Sequence, residues 1–178
     1  MSSPSLPKDL KKHFSTFNYE VIRSIYPNSC NYHKLRMKPK KRTSDKILVA
    51  IDGSEYSPKA LDYACKVAMI DNAQLQIINV IEEYVNIGHT FSRQLEKIAK
   101  ELLNKYEALA KSLGVINVTT IQVRGNAAEQ ILETADKENV NTIVVGSRGH
   151  YRSKVDFILG SISYKLAHYS KCTVVIVK

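Results

Sequence analysis

Five short runs rich in β-branched residues, ILVAI (47–51), LQIINVI (75–81), VINVTTIQV (115–123), TIVVG (142–146) and TVVIV (173–177), are separated by segments with a helical apolar period. Runs of this kind, apolar on both sides, read as strands buried on both faces of a parallel sheet. The segments between them supply helices. Ser57-Pro58 offers an N-cap and a first-turn proline, with Ala60 or Leu61, Ala64, and Val67 or Ala68 as the apolar face. Phe91, Leu95, Ile98, Leu102, Tyr106, Leu109 and Leu113 repeat at spacings of four and three until Gly114 closes the pattern. Asn126 and Glu129 stand at N-cap and N3 spacing before Ile131, Leu132 and Ala135, and a last helix is predicted from about Gly160 to Tyr169. Strict alternation of strand and helix requires an α/β fold: a parallel sheet with helices on both faces, joined by right-handed crossovers. Ligands of such sheets bind beyond the carboxyl ends of the strands, at the switch point of strand order.

The alternation occupies residues 45–178, and residues 1–44 have another character. They hold ten Lys/Arg against Asp9 and Glu20, so nearly all of the net charge of +9 sits on this basic N-terminal extension. Leu10, Phe14, Phe17, Val21 and Ile25 predict a short amphipathic helix that stops at Pro27, and Lys34 to Arg42 read as a charged linker. Nucleic acid or an anionic surface is therefore a candidate partner, and only through residues 1–44, because the domain that follows is close to neutral. Cys30, Cys65 and Cys172 are far apart with no paired spacing, and are expected to be reduced thiols. No apolar run reaches the roughly 18 residues of a membrane span, and no signal peptide is evident, so the expectation is a cytoplasmic protein without a transmembrane segment.

The stretch from Thr142 to Ser163 carries the chemistry. A strand breaks at Gly146, a basic loop punctuated by Gly149 follows, and Gly160 and Ser161 open a helix. Glycines let backbone N–H groups approach an anion closely, and a helix start adds unpaired donors and about half a positive charge. A nucleotide is the ligand this arrangement suits. Arg148, Arg152 and Lys154 add positive charge to the same loop, whereas His150 has no acid or nucleophile beside it and receives no role.

VAIDGSEYSPKAL near the start, NVIE after the second strand, GNAAEQI before the third helix and GSRG with GSIS near the end together resemble the universal stress protein family, over residues 45–178. The resemblance implies a Rossmann-like five-stranded parallel sheet of order 3-2-1-4-5. It also implies a homodimer pairing its fifth strands, here residues 173–177, and an ATP or AMP site, with or without Mg2+. Members that bind ATP carry two glycines two residues apart, then nine residues, then Gly-Ser or Gly-Thr. The corresponding glycines here are Gly146, Gly149 and Gly160, and ten residues, His150 to Leu159, stand where the family has nine.

By the same resemblance Asp52 meets the ribose hydroxyls or a metal on the phosphates, Ala50 and Ile51 border the nucleoside, and Val80 meets adenine through its backbone. Val145, Gly146, Arg148 and Gly149 line the site from the fourth strand, and Ser161, Ile162 and Ser163 offer N–H and hydroxyl donors to phosphate. The plainer readings are an Asx turn at Asp52, ordinary core at the apolar strand ends, and turn or capping chemistry in the loop.

Three functions fit the residues. The favoured one is a non-enzymatic adenine-nucleotide module of stress response or signalling, whose bound state an unknown protein partner recognises. The others are a nucleotide-free dimeric interaction protein with a basic arm, and a slow ATPase. Little supports an enzyme: there is no G-x-x-x-x-G-K-[ST], no G-x-G-x-x-G after a strand, and Asp52 and Asp156 are the only carboxylates placed near the site. No residue is assigned as catalytic or as part of a standing metal site.

Overall fold

A computed structural model describes residues 45–82, 89–149 and 159–178. The N-terminal helix and linker expected before residue 45, and Arg152, Lys154, His150 and Asp156, lie outside the described residues. The order is β1 (Lys46–Ala50), α1 (Ser57–Asp71), β2 (Gln74–Ile81), α2 (His89–Ser112), β3 (Val118–Arg124), α3 (Ala127–Glu138), β4 (Thr142–Gly146), α4 (Ser161–Tyr169) and β5 (Thr173–Val177). All strand pairs are parallel and the sheet runs β3-β2-β1-β4-β5, as expected. No helix among the described residues is long and apolar enough to cross a membrane.

Strand order decides where the helices lie. From β1 the chain steps outward to β2 and β3, then returns across the sheet to β4 and continues the other way to β5. Right-handed crossovers taken in opposite directions place their helices on opposite faces. Side-chain alternation agrees. Ile47, Val49 and Ile51 pack with Leu61, Ala64 and Cys65 of α1 and with Leu103, Tyr106 and Ala110 of α2. Leu48, Ile143 and Val145 pack with Ile131 and Ala135 of α3 and Leu166 of α4 on the other side.

Three local expectations are corrected. Ser57 is the first helical residue and Tyr56 the cap; Ser57's hydroxyl is turned back into the preceding loop, so the helix starts without a side-chain cap. The third strand begins at Val118; Asn117 still gives its carbonyl to Leu75 N–H, but Val115 turns into the core beneath α1 and α2. The buried face of α2 is centred on Ala99, Leu103, Tyr106 and Ala110, while Phe91, Ile98, Leu109 and Leu113 of the predicted stripe are exposed. Phe91, Ile98 and Leu109 lie about a quarter turn round the helix from that centre. The alanines, which carry little apolar signal in sequence, let α2 approach the sheet closely.

Candidate functional site

Between β1 and β4 the sequential path reverses, and both strands end on the same side of the sheet, at Ala50 and Gly146. Ala50 stands beside Val145 in register. One residue further, Ile51 is buried and held on both sides. Its N–H donates to Ile78 O at 3.0 Å, and its carbonyl accepts the side-chain amide of Asn79 at 2.8 Å. Asn79 is itself buried, so β2 fixes the residue that immediately precedes Asp52.

Asp52 then opens a tight polar turn. Its Oδ1 accepts Ser54 N–H at 2.9 Å and the Ser57 hydroxyl at 2.8 Å. The first bond makes an Asx turn, the plainer of the two sequence readings. Oδ2 is directed elsewhere: a Cβ built on Gly149 would stand 2.8 Å from it. The carboxylate therefore spans the gap from the β1 turn to the β4 loop. A weaker tie, Ser54 Oγ to Arg148 O at 3.5 Å, joins the same two segments.

The β4 side is pinned with equal care. Ser147 N–H donates to Val177 O at 2.7 Å, and Ser147 O accepts both Gly160 N–H at 2.8 Å and the Ser163 hydroxyl at 3.1 Å. Gly160 is the N-cap of α4, in extended conformation and without a side-chain cap. The first-turn N–H groups of a helix lack intrahelical partners, so Ser161, Ile162 and Ser163 present backbone donors at this end of the sheet. Because Gly160 is bonded directly to Ser147, the ten-residue spacing leaves the helix start held against the end of β4.

The expected residues thus fall into three groups. Asp52, Gly146, Arg148, Gly149, Gly160 and the α4 start are brought together at the switch point. Ala50 and Val145 stand at the ends of β1 and β4 and pack on the α3–α4 face of the sheet, whereas Ile51 packs on the α1–α2 face, with Ile51 and Val145 buried. Val80, half-buried in β2 opposite Val123, packs on the same face as Ala50 and Val145. Ser163 contributes differently from its sequence reading: its side chain is 2 % exposed and its hydroxyl faces the carbonyls of Ser147 and Gly160. Its backbone N–H, not its hydroxyl, belongs to the helix-start donor set.

Four supporting residues were given no part in the site from sequence. Asn79 and Ser147 have been described; the others are Ser57 and Tyr106. Tyr106 lies deep in the core on α2, where burial pushes its phenol pKa up, a Ser57 hydrogen bond opposes the shift, and the Asp52 charge adds to it. Thus Tyr106 lies within electrostatic reach of the Asp52 turn. The only hint in sequence was a hydroxyl-bearing tyrosine in an otherwise apolar stripe, since a buried phenol hydroxyl needs a partner.

Comparison with known proteins agrees with this fold. The model of the universal stress protein family matches residues 43–178. Universal stress protein YxiE of Bacillus subtilis (strain 168) is 35% identical over 148 residues, covering 75% of this chain and 99% of that protein. A universal stress protein solved in complex with cAMP is 26% identical with a TM-score of 0.61, covering 75% of this chain and 96% of that one. Universal stress protein UspA from Lactobacillus plantarum shares the fold at 19% identity, with a TM-score of 0.65 and coverage of 75% and 97%.

Proposed function

Because this chain belongs to the universal stress protein family, we propose that it is an adenine-nucleotide-binding module. ATP or AMP would lie across the ends of β1 and β4, and the protein would act as a homodimer paired through β5 without turning the nucleotide over. The observation that carries this reading is the meeting of Asp52 Oδ2 with Gly149 while Gly160 is bonded to Ser147. A carboxylate suited to ribose hydroxyls and a helix start suited to phosphates thereby face one space at the switch point. The relative solved with cAMP supports the choice of an adenine ligand.

Among the described residues no group of three or more His, Cys, Asp or Glu could hold a metal ion. A Mg2+ entering with ATP would be held mainly by the phosphates, with Asp52 as its carboxylate; this fits the habit of Mg2+ of binding through one or two carboxylates plus phosphate and water. For the dimer, the support is β5 itself: an edge strand with four apolar residues, Val174 to Val177, each half-buried. Pairing with a second copy removes such an edge.

The test is thermal stability against ATP concentration, with sedimentation run in parallel. A saturable rise in Tm, lost in Asp52→Asn and Gly160→Val, is expected, as linkage requires of a ligand that binds only the folded state. Absence of any rise at millimolar ATP would overturn the nucleotide reading. A monomer at micromolar concentration, unchanged by Val175→Lys, would overturn the dimer.

A further inference from the structure

Ser57 does something other than cap a helix. It is 2 % exposed and stands one residue past the N-cap. Its oxygen accepts the N–H of Asp52 and of Gly53, each at 3.1 Å, and lies 2.8 Å from Asp52 Oδ1. A hydroxyl has one proton and two lone pairs. Its two backbone neighbours are donors and the carboxylate only accepts, so among these three partners the proton goes to Asp52. At 2 % exposure the hydroxyl has no room to turn toward water.

We propose that Ser57 is a positioning residue for Asp52. By clamping Oδ1, with Ser54 N–H as the second clamp, it sets the plane of the carboxylate and turns Oδ2 toward Gly149. That is the direction in which ribose hydroxyls would be met, so the consequence for ligand choice rests on the nucleotide-binding reading above. The consequence for Asp52 does not. Two further features suit the assignment. The turn is attached to β2 through Asn79 and Ile51, so Ser57 acts on a side chain whose backbone is already fixed. Ser57 also belongs to α1, which is packed on the sheet through Ala60, Leu61 and Ala64, so the clamp is anchored in the core.

The experiment uses the full chain as wild type, Ser57→Ala and Ser57→Thr, the last retaining a hydroxyl. Ligand-free crystal structures read the Asp52 side chain. In Ser57→Ala, Oδ2 is expected to leave its place beside Gly149, and in Ser57→Thr to keep it. Calorimetric titration with ATP and with 2′,3′-dideoxy-ATP reads the consequence. Wild type and Ser57→Thr should prefer ATP by about tenfold or more, the worth of one hydrogen bond to a charged group. Ser57→Ala should bring that ratio close to one. An unmoved Asp52 in Ser57→Ala overturns the proposal, as does an unchanged preference accompanied by equal weakening of both nucleotides. If wild type takes up neither nucleotide, the nucleotide reading fails and the crystal structures alone decide the role of Ser57. Should Ser57→Ala not fold, Ser57→Cys, a weaker donor, replaces it in both measurements.

Discussion

Replacing Gly146 by alanine isolates what the first glycine of the loop does. A Cβ at this position would stand 2.6 Å from Tyr56 Cβ, with Tyr56 C at 3.6 Å and Arg148 O at 3.4 Å. Carbon atoms prefer about 3.5–4.0 Å, so roughly 1 Å of separation must be found. Tyr56 Cβ cannot supply it by a rotamer change, because Cβ moves only with the backbone of the α1 cap. Gly146 does not have a positive φ, so alanine is conformationally allowed there and the problem is steric alone. Overpacking of this kind costs about 1–3 kcal/mol, and the smaller unfolded-state entropy of alanine returns about 0.4–1 kcal/mol. A net loss of about 1–2 kcal/mol is expected from urea denaturation without ligand. The partner is then tested by a double-mutant cycle: Tyr56→Gly removes the offending atom, and in that background Gly146→Ala should cost less than half as much. A loss below about 0.5 kcal/mol, typical of neutral surface changes, or an equal loss with and without Tyr56 Cβ, would refute the reasoning.

Other expectations follow from single contacts. Gly149→Ala meets Asp52 Oδ2 at 2.8 Å, and the carboxylate can move aside only by disturbing its bonds from Ser54 N–H and the Ser57 hydroxyl, so stability should fall by about 1–3 kcal/mol in urea denaturation while the thermal shift given by ATP is lost. Asn79→Ala strands the buried carbonyl of Ile51 and should cost about 1–3 kcal/mol in urea denaturation. At acid pH, hydrogen bonds from Lys46 and then Gln76 hold the Glu138 carboxyl below its ordinary 4.5. A depressed carboxyl stabilises the fold above its unfolded value and loses that contribution as pH falls through the folded one, so Glu138→Gln should flatten the Tm profile below pH 4.5. At alkaline pH the sign reverses. Burial, then the charge of Asp62, pushes Cys65 from 9.0 to about 11, and burial also raises Tyr106 above 10.0. Both are neutral in the fold, so stability should be complete below pH 9.0 and decline as pH rises toward 11, with Cys65→Ala removing the earliest part of the decline.

The alternation of β-branched runs and helical stripes was enough to read the sheet, its order through the family resemblance, and which loops converge. What was not legible has physical causes. The face of α2 was misplaced because Ala99 and Ala110 look neutral in sequence while being the residues that permit close packing. The start of α1 was placed one residue late because a serine beside a proline has the signature of a cap, and nothing in the sequence says that its hydroxyl is wanted by the loop behind it. The long-range partners of Asn79 and Tyr106 were hidden for a related reason: each lies far away in sequence, 28 residues in the case of Asn79 and Ile51.

The glycines of the loop carry a further lesson about what such a motif encodes. Close approach to a ligand was the reason offered for Gly146, Gly149 and Gly160, yet each is already required by the protein's own atoms: Tyr56 Cβ, Asp52 Oδ2, and Ser147 O with Arg148 Cα, respectively. Gly146 lets the start of α1 pack on the end of β4. Gly149 admits the Asp52 carboxylate, and Gly160 lets the helix start return to Ser147. The spacing between Gly149 and Gly160 is then a matter of closing a loop whose ends are independently fixed, and adding one residue to a loop costs little, since closure entropy grows only with the logarithm of length. Ten residues in place of nine therefore leave the cradle's fixed points intact. A deletion restoring nine should change the ATP-induced thermal shift far less than Gly160→Val, which strikes the backbone contact at 3.2 Å to Ser147 O directly.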